Sequence, residues 1–108
     1  MYVGSFSSIV HGPQNETVFS HSAVTFSCNS DHASVIYWFY LLTDGSSVAI
    51  FDHRGRNVKL FDERFVNTVD NFTSNLTIHN VQKSDEGIYA CRESSSERLW
   101  PARLEVIG

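Results

Sequence analysis

The sequence has no long apolar run, no excess of positive charge and only two cysteines, and each shortage excludes a class of protein. Its longest apolar run covers residues 35–42, far short of the roughly 20 residues that a membrane-spanning helix needs. Twelve acidic residues against eight lysines and arginines give a net charge of −4, which offers no attraction to nucleic acid or anionic lipid. Met1 is followed by neither a basic nor a long apolar segment, so no signal peptide is predicted, and membrane contact is expected only through a tether outside these residues.

Patterns typical of catalysis or metal binding are also missing. The five histidines are scattered without a His-Glu-x-x-His pair, and the chain has neither a Cys-x-x-Cys pair nor a Gly-x-Ser-x-Gly turn. Asp52 and His53 lie side by side at a predicted hairpin tip, where the ordinary polarity of a solvated loop explains them. We therefore expect no enzymatic activity, no bound metal and no cofactor.

Alternation of apolar and polar residues at a period of two dominates the rest of the chain. It runs through VTFSC (24–28), NLTIHNV (75–81), IYAC (88–91) and ARLEV (102–106). Turn-forming pairs such as Asp44-Gly45 separate these segments, and only residues 81–86 could hold a short helical turn. Short alternating segments bounded by turn residues are typical of half-buried antiparallel strands. The pattern predicts one all-β domain over residues 1–108.

Two cysteines, one tryptophan and one tyrosine occupy informative places in this pattern. Cys28 and Cys91 each end an inward-facing alternation, and Trp38 lies between them in the hydrophobic segment VIYWFYLL. The order Cys, Trp, Cys on alternating strands, with Tyr89 two residues before the second cysteine, is typical of the immunoglobulin sandwich. The segment DEGIYAC, which begins at Asp85, matches the pattern D-x-G-x-Y-x-C. The sequence therefore resembles the immunoglobulin superfamily over nearly its whole length.

The resemblance implies an immunoglobulin-like antiparallel β-sandwich of Greek-key topology, with one disulfide between Cys28 and Cys91 joining the two sheets. The spacing between Trp38 and Arg64, which belongs to ERFVN, leaves room for two further strands, C′ and C″, and so indicates a variable-type (V-type) domain. Arg64 is expected to form a partly buried ion pair with Asp85. The expected core and structural positions are Trp38, Tyr89, Arg64 and Asp85. Two free buried cysteines in a cytosolic β-domain are the alternative interpretation.

Two features separate the sequence from antigen-receptor variable domains. Trp100-Pro101 replaces the Gly-x-Gly bulge of their last strand, and no glutamine follows Trp38. The chain is more similar to variable-type domains of adhesion molecules and innate receptors. The segments GPQNETV (12–18) and NFTSNLTIHNVQKSDEG (71–87) resemble membrane-distal domains of junctional adhesion-type proteins.

A disulfide-centred sandwich implies an oxidising compartment, which means an extracellular protein at the cell surface or secreted. Three N-x-Ser/Thr sequons agree with this and predict glycosylation at Asn15, Asn71 and Asn75. Asn75 precedes the inward-facing Leu76, so its side chain is expected outside the sheet opposite the tryptophan strand. The sugars are expected to mark the side of the domain that binds no partner.

The tryptophan also predicts a binding face. Because Trp38 points inward, its neighbours in sequence point outward, onto the surface of strands G, F, C and C′, which we call the GFCC′ face. The residues of that parity on strands C and F are Tyr37, Phe39, Leu41, Ile88, Ala90 and Arg92. Large apolar side chains in a row on a solvent face indicate a protein-binding surface. With the FG loop (92–100) included, the expected partner-binding residues are Tyr37, Phe39, Leu41, Ala90, Arg92, Arg98 and Trp100.

Together these features predict an extracellular protein-recognition domain of a cell-surface adhesion molecule or immune receptor. It would bind a protein ligand through the GFCC′ face and the FG loop, and self-association as a homodimer is one option. An innate immune module that binds microbial or glycan ligands through its loops is the alternative, for which Arg54, Arg56 and Lys59 supply a short basic patch. A spacer domain without a partner of its own is the third interpretation.

Overall fold

The computed structural model describes residues 9–32, 35–51 and 63–108 of the chain. Nine strands and one turn of 3-10 helix, Lys83–Asp85, account for its regular structure, and these described ranges contain no α-helix. The strands are β1 (Ile9–His11), β2 (Glu16–Phe19), β3 (Val24–Ser30), β4 (Ile36–Leu41), β5 (Ser47–Ala49), β6 (Phe65–Val69), β7 (Thr73–Ile78), β8 (Gly87–Glu93) and β9 (Trp100–Ile107).

The strands form two sheets packed as a sandwich. One sheet has four strands in the order β1-β3-β7-β6, and the other has five in the order β2-β9-β8-β4-β5. All pairings are antiparallel except that of β2 with β9, which is parallel. The predicted all-β sandwich is therefore confirmed. Strands β9, β8, β4 and β5 are the predicted G, F, C and C′, while the segment predicted to hold C″ lies outside the described residues.

The first two strands of the described chain belong to different sheets. Strand β1 pairs with β3 in one sheet, whereas β2 pairs with β9 in the other. The chain crosses between them at Gly12 and Pro13. A Cβ at Gly12 would lie 2.7 Å from a ring carbon of Trp100, so only glycine fits where the chain passes over this indole.

The core lies between the sheets, where the alternating residues of β3, β7 and β9 are buried. The predicted disulfide is confirmed, since Cys28 on β3 bonds to Cys91 on β8 and so joins the two sheets. Trp38 is 1% exposed, and its indole Nε1 donates a hydrogen bond of 3.0 Å to the buried Ser74 hydroxyl on the opposite sheet. A buried donor is costly without a partner, so Ser74 lets the tryptophan occupy the centre of the core.

The turn before β8 is held by a buried polar cluster. The Tyr89 hydroxyl donates a 2.6 Å hydrogen bond to the backbone oxygen of Asp85, four residues upstream, which makes a tyrosine corner. Arg64 contacts the Asp85 carboxylate with both terminal nitrogens, at 2.8 and 3.0 Å. The same carboxylate accepts a 2.7 Å hydrogen bond from the backbone N–H of Gln82. These contacts fix the path by which the chain enters β8.

Replacing Arg64 with alanine is expected to lower the free energy of unfolding by about 2 kcal/mol, because it leaves a buried carboxylate without its cation. The Asp85 side chain is only 5% exposed, whereas that of Arg64 is 23% exposed, which keeps the cost below that of a fully buried pair. Urea unfolding of Arg64→Ala, Asp85→Ala and the double variant measures the coupling. Additive costs of the two single variants would contradict the pair as a stabilising unit.

Candidate functional site

The outer surface of β4 carries three large side chains in alternate positions. Tyr37, Phe39 and Leu41 are all half-buried on the GFCC′ face, while Ile36 and Tyr40 of the same strand pack against the core. The pleat of a strand sends successive side chains to opposite sides, so the buried Trp38 dictates this arrangement.

Strand β8 places Arg92 beside these rings. Arg92 pairs with Tyr37 across the sheet, and its guanidinium carbon lies 5.7 Å from the centre of that ring and 5.3 Å from the centre of the Phe39 ring. Its Nη1 donates a 3.0 Å hydrogen bond to the backbone oxygen of Ser96. Two cation–π contacts and one hydrogen bond therefore hold the guanidinium in place before any partner arrives.

Ala90 differs from its prediction as an exposed contact residue, because it is 0% exposed. Its place on β8 lies between Phe39 of β4 and Pro101 of β9. A methyl group between two larger neighbours is covered by them even on the solvent side of a sheet. Ala90 therefore offers no surface to a partner.

A shallow depression of about 350 Å³ opens on the GFCC′ face beside Phe39 and Arg92. It is lined by Phe39, Ser47, Arg92, Glu97 and Leu99, which come from β4, β5, β8 and the FG loop. The depression thus combines an aromatic ring, an aliphatic side chain and one charge of each sign.

The FG loop is tied down by its own polar groups, which the sequence did not reveal. Glu93 and Ser96 are each 3% exposed, and the Ser96 N–H donates to the Glu93 backbone oxygen at 3.0 Å. The Ser95 hydroxyl donates to the Glu93 carboxylate at 2.7 Å, and the Arg98 N–H donates to the Ser96 hydroxyl at 3.1 Å. These hydrogen bonds fix the conformation of the turn that carries the exposed Glu97.

Trp100 also differs from its prediction as an aromatic residue of the exposed loop. It is the first residue of β9, and it shares the inward parity of Ala102 and packs against the core. The guanidinium carbon of Arg98 lies 4.1 Å from the centre of its ring. Trp100 is therefore half-buried at the start of β9 and forms the base on which the exposed Arg98 rests.

Two carboxylates, the half-buried Glu86 and the exposed Asp44, fix turns at the end of the sheet where β4 ends and β8 begins. Glu86 accepts hydrogen bonds from the Val106 N–H at 2.9 Å and from the Lys83 ammonium at 3.0 Å, and these contacts lower the pKa of Glu86. The Ser46 hydroxyl and backbone N–H both donate to Asp44, which lowers the pKa of Asp44 in the turn between β4 and β5. Both turns are therefore held by charged acceptors.

Two of the three sequon asparagines belong to the four-stranded sheet, and the third lies at the edge of the other sheet. Asn75 is on β7 and the exposed Asn71 is in the turn before it, both in the four-stranded sheet. Asn15, however, directly precedes β2 at the edge of the five-stranded sheet, and its Oδ1 accepts a 2.8 Å hydrogen bond from the N–H of Arg103. The crossing of the chain between the two sheets explains this difference.

Neither a cluster of metal-binding side chains nor a membrane-spanning helix is found in the described ranges. They contain no group of three His, Cys, Asp or Glu side chains close enough to hold a metal ion. No helix within them is long and apolar enough to cross a membrane. Asp52, His53 and the basic residues Arg54, Arg56 and Lys59, on which the glycan alternative depends, lie outside the described residues.

A comparison with known families gives one match of nearly full length. The model of the immunoglobulin V-set domain matches residues 11–106. The match begins within β1 and ends within β9, so it covers all the strands that position the GFCC′ face.

Proposed function

The chain belongs to the immunoglobulin V-set family, and from this premise we propose that it is an extracellular recognition domain that binds a protein through the GFCC′ face. Domains of this family are typically non-enzymatic binding modules, which agrees with the sequence. The observation that carries the proposal is the arrangement of Tyr37, Phe39 and Leu41 beside the immobilised Arg92.

The composition of this face favours a protein ligand. Aromatic residues and arginine are enriched at the energetic centres of protein interfaces, where they are ringed by contacts that exclude water. Arg92 is already ordered, so binding would lose little side-chain entropy there. The disulfide supports the extracellular placement, and so do the sequons, since both belong to secreted proteins. We propose a cell-surface adhesion molecule or immune receptor as the parent protein.

The four-stranded sheet is the surface that we propose to be covered by sugar. Glycans at Asn71 and Asn75 would project from β7 and the turn before it, on the side of the sandwich away from the GFCC′ face. A glycan at Asn15 would stand at the β2 edge, next to Arg103. The aromatic strand β4 is separated from that edge by β8 and β9, so all three sequons leave it accessible.

We expect Phe39→Asp to weaken ligand binding by about tenfold or more, because it removes a large apolar side chain from the interface centre and leaves there a carboxylate that a partner would have to desolvate. The domain, displayed as a tetramer, is tested against an array of cell-surface ectodomains that includes the domain itself. Val66→Asp is the matched control, since Val66 is 37% exposed on β6 of the opposite sheet. Thermal unfolding of both variants checks that each remains folded.

Binding that survives Phe39→Asp and fails with Val66→Asp would place the interface on the four-stranded sheet. If no ectodomain binds the wild-type tetramer, the spacer interpretation replaces the proposal. If only glycans bind the wild-type tetramer, the loop-based alternative replaces the proposal.

A further inference from the structure

We propose that a glycan on Asn71 covers the exposed apolar side chains of Val69 and Phe72, and that its first sugar packs on the Phe72 ring and stabilises the hairpin of β6 and β7. The inference rests on the proposed function, because a sequon is glycosylated only in a protein that enters the secretory pathway. It goes beyond that function by giving one of the three sequons a structural role.

The turn between β6 and β7 exposes two large apolar side chains. Val69 ends β6 and is 65% exposed, and Phe72 directly precedes β7 and is 50% exposed. Single exposed apolar residues are ordinary, but two in one tight turn form a patch that a bound group can cover. Asn71 lies between them in the sequence, directly before Phe72, so a sugar on its side chain begins within reach of the patch.

Hydrogen bonds hold this turn in one conformation. The Asp70 N–H donates to the Thr73 backbone oxygen at 2.9 Å, and the Asp70 carboxylate accepts from the N–H groups of Phe72 and Thr73 at 3.2 and 3.0 Å. The Phe72 backbone oxygen accepts a 2.9 Å hydrogen bond from the Ser30 N–H, which ties the turn to the end of β3. Because the backbone is already ordered, packing a sugar against Phe72 loses little backbone entropy.

An N-acetylglucosamine ring suits such a patch. Its C–H groups form an apolar face, and the face of an aromatic ring carries negative charge that attracts the slightly positive hydrogens of these groups. Its hydroxyl groups lie around the rim of the sugar, where they keep their hydrogen bonds to water. The sugar therefore removes apolar surface from water without burying polar groups.

The modification is a group transfer that occurs during secretion. The donor is an oligosaccharide joined through a diphosphate to a lipid. The side-chain nitrogen of Asn71 forms a bond to C1 of the first sugar and loses one proton, while the bond between C1 and the diphosphate oxygen breaks and the lipid diphosphate leaves with the electron pair. Thr73 completes the sequon.

The other two sequons lack an apolar patch of this kind. Asn75 is in the middle of β7, where its cross-strand neighbours are Ser27 and Thr68, and its Oδ1 is buried without a hydrogen-bond partner. Asn15 lies between a glutamine and a glutamate. A sugar at either site would meet polar side chains, so we expect the stabilising contact at Asn71 alone.

The test uses the whole chain, secreted from mammalian cells that make only high-mannose glycans and then trimmed to one N-acetylglucosamine at each occupied asparagine. Mass spectrometry of peptides identifies the occupied asparagines. We expect the sugar on Asn71 to raise the ratio of folded to unfolded protein about tenfold over that of Asn71→Gln, as measured by urea unfolding. In a Phe72→Ala background the same comparison should give about twofold or less, because the ring is then missing.

Two controls separate this contact from other effects of glycosylation. Asn75→Gln removes a sugar that lies beside polar side chains, and its effect should be the same with and without the Phe72 ring. Val66→Ala is matched to Val69→Ala, because Val66 is also exposed on β6 but lies away from the turn. Only Val69→Ala should reduce the gain in stability from the sugar on Asn71.

NMR spectra of the trimmed protein give a second readout that needs no destabilising variant. The C–H resonances of the sugar on Asn71 should be shifted upfield, because protons above an aromatic ring are shielded by it. The shift should disappear in Phe72→Leu, which keeps an apolar side chain at this position but removes the ring.

An unoccupied Asn71, a stabilisation that Phe72→Ala leaves unchanged, or sugar resonances without an upfield shift would each overturn the inference. A ligand from the ectodomain array that binds the sugar-free domain and is lost with Phe72→Ala would do so as well, because it would assign the patch to a protein partner. None of the first three results affects the proposed function, since binding at the GFCC′ face is tested separately with Phe39→Asp.

Discussion

Replacing Cys28 and Cys91 together with alanine is expected to lower the free energy of unfolding by about 4 kcal/mol. The disulfide closes a loop with a sequence separation of 63 residues, and the chain-entropy estimate for a loop of that length gives this value. A small domain is stable by only about 5–15 kcal/mol in total, so the variant is expected to lie close to the limit of folding. Urea unfolding of the variant and the wild type, both without reductant, measures the difference.

The wild type unfolded in the presence of reductant is the control for this variant. It should unfold at nearly the same urea concentration as the double alanine variant, because both lack the cross-link while only one lacks the sulfur atoms. A difference between oxidised wild type and variant of less than about 1 kcal/mol would mean that packing alone holds the sheets together. The disulfide also affects the binding face, because Cys91 directly precedes Arg92 on β8.

The sequence predicted the fold well because alternation and burial reinforce one another in the central strands. A shift of register by one residue would turn every apolar side chain of β3 or β7 toward water, so their pattern allows one arrangement only. The positions of Cys28, Trp38 and Tyr89 within this pattern then distinguish an immunoglobulin sandwich from other all-β folds.

The binding face is harder to predict. The alternation along a strand gives the side of the sheet on which a residue lies, but it does not tell whether neighbouring side chains cover that residue. Ala90 is on the predicted side and has no exposed surface, since its neighbours across the sheet are larger. The sequence places Trp100 in a loop because β9 has no sharp beginning in its pattern, whereas in the structure Trp100 begins β9 and packs against the core.

Other features depend on contacts between segments far apart in the sequence. The hydrogen bond from Arg103 to Asn15 exists because β2 leaves the first sheet and joins β9, which no local pattern encodes. The hydrogen bonds among Glu93, Ser95 and Ser96 arise from one loop conformation out of many that its serine-rich sequence would allow.

Replacing Gly87 with alanine is expected to lower the free energy of unfolding by about 4 kcal/mol, from two causes of similar size. Gly87 begins β8 with a φ of +148°, in a region that residues with a Cβ rarely adopt. A Cβ there would also lie against the Tyr40 hydroxyl and 2.8 Å from two carbons of the Tyr40 ring. The ring cannot move freely, because its hydroxyl donates a 2.8 Å hydrogen bond to the backbone oxygen of Glu86.

Gly45→Ala separates the two causes. Gly45 has a φ of +92°, and a Cβ there would meet no atom within 4 Å, so this variant carries the backbone strain without the steric clash. It is expected to cost about 1–2 kcal/mol, well below the cost at Gly87. Equal costs at the two glycines, measured by urea unfolding, would show that backbone strain alone explains Gly87 and that the contact with Tyr40 is unimportant.

A second comparison tests the contact directly. In a Tyr40→Phe background the atom closest to the new Cβ is gone and the ring is no longer tied to Glu86, so Gly87→Ala should cost less there than in the wild type. The result also concerns the binding face, because Tyr40 alternates with Phe39 and Leu41 along β4. A ring pushed away from Gly87 would shift the strand that carries them. If the Tyr40→Phe background leaves the cost unchanged, the two residues are not coupled, and the contact between them does not help to position β4.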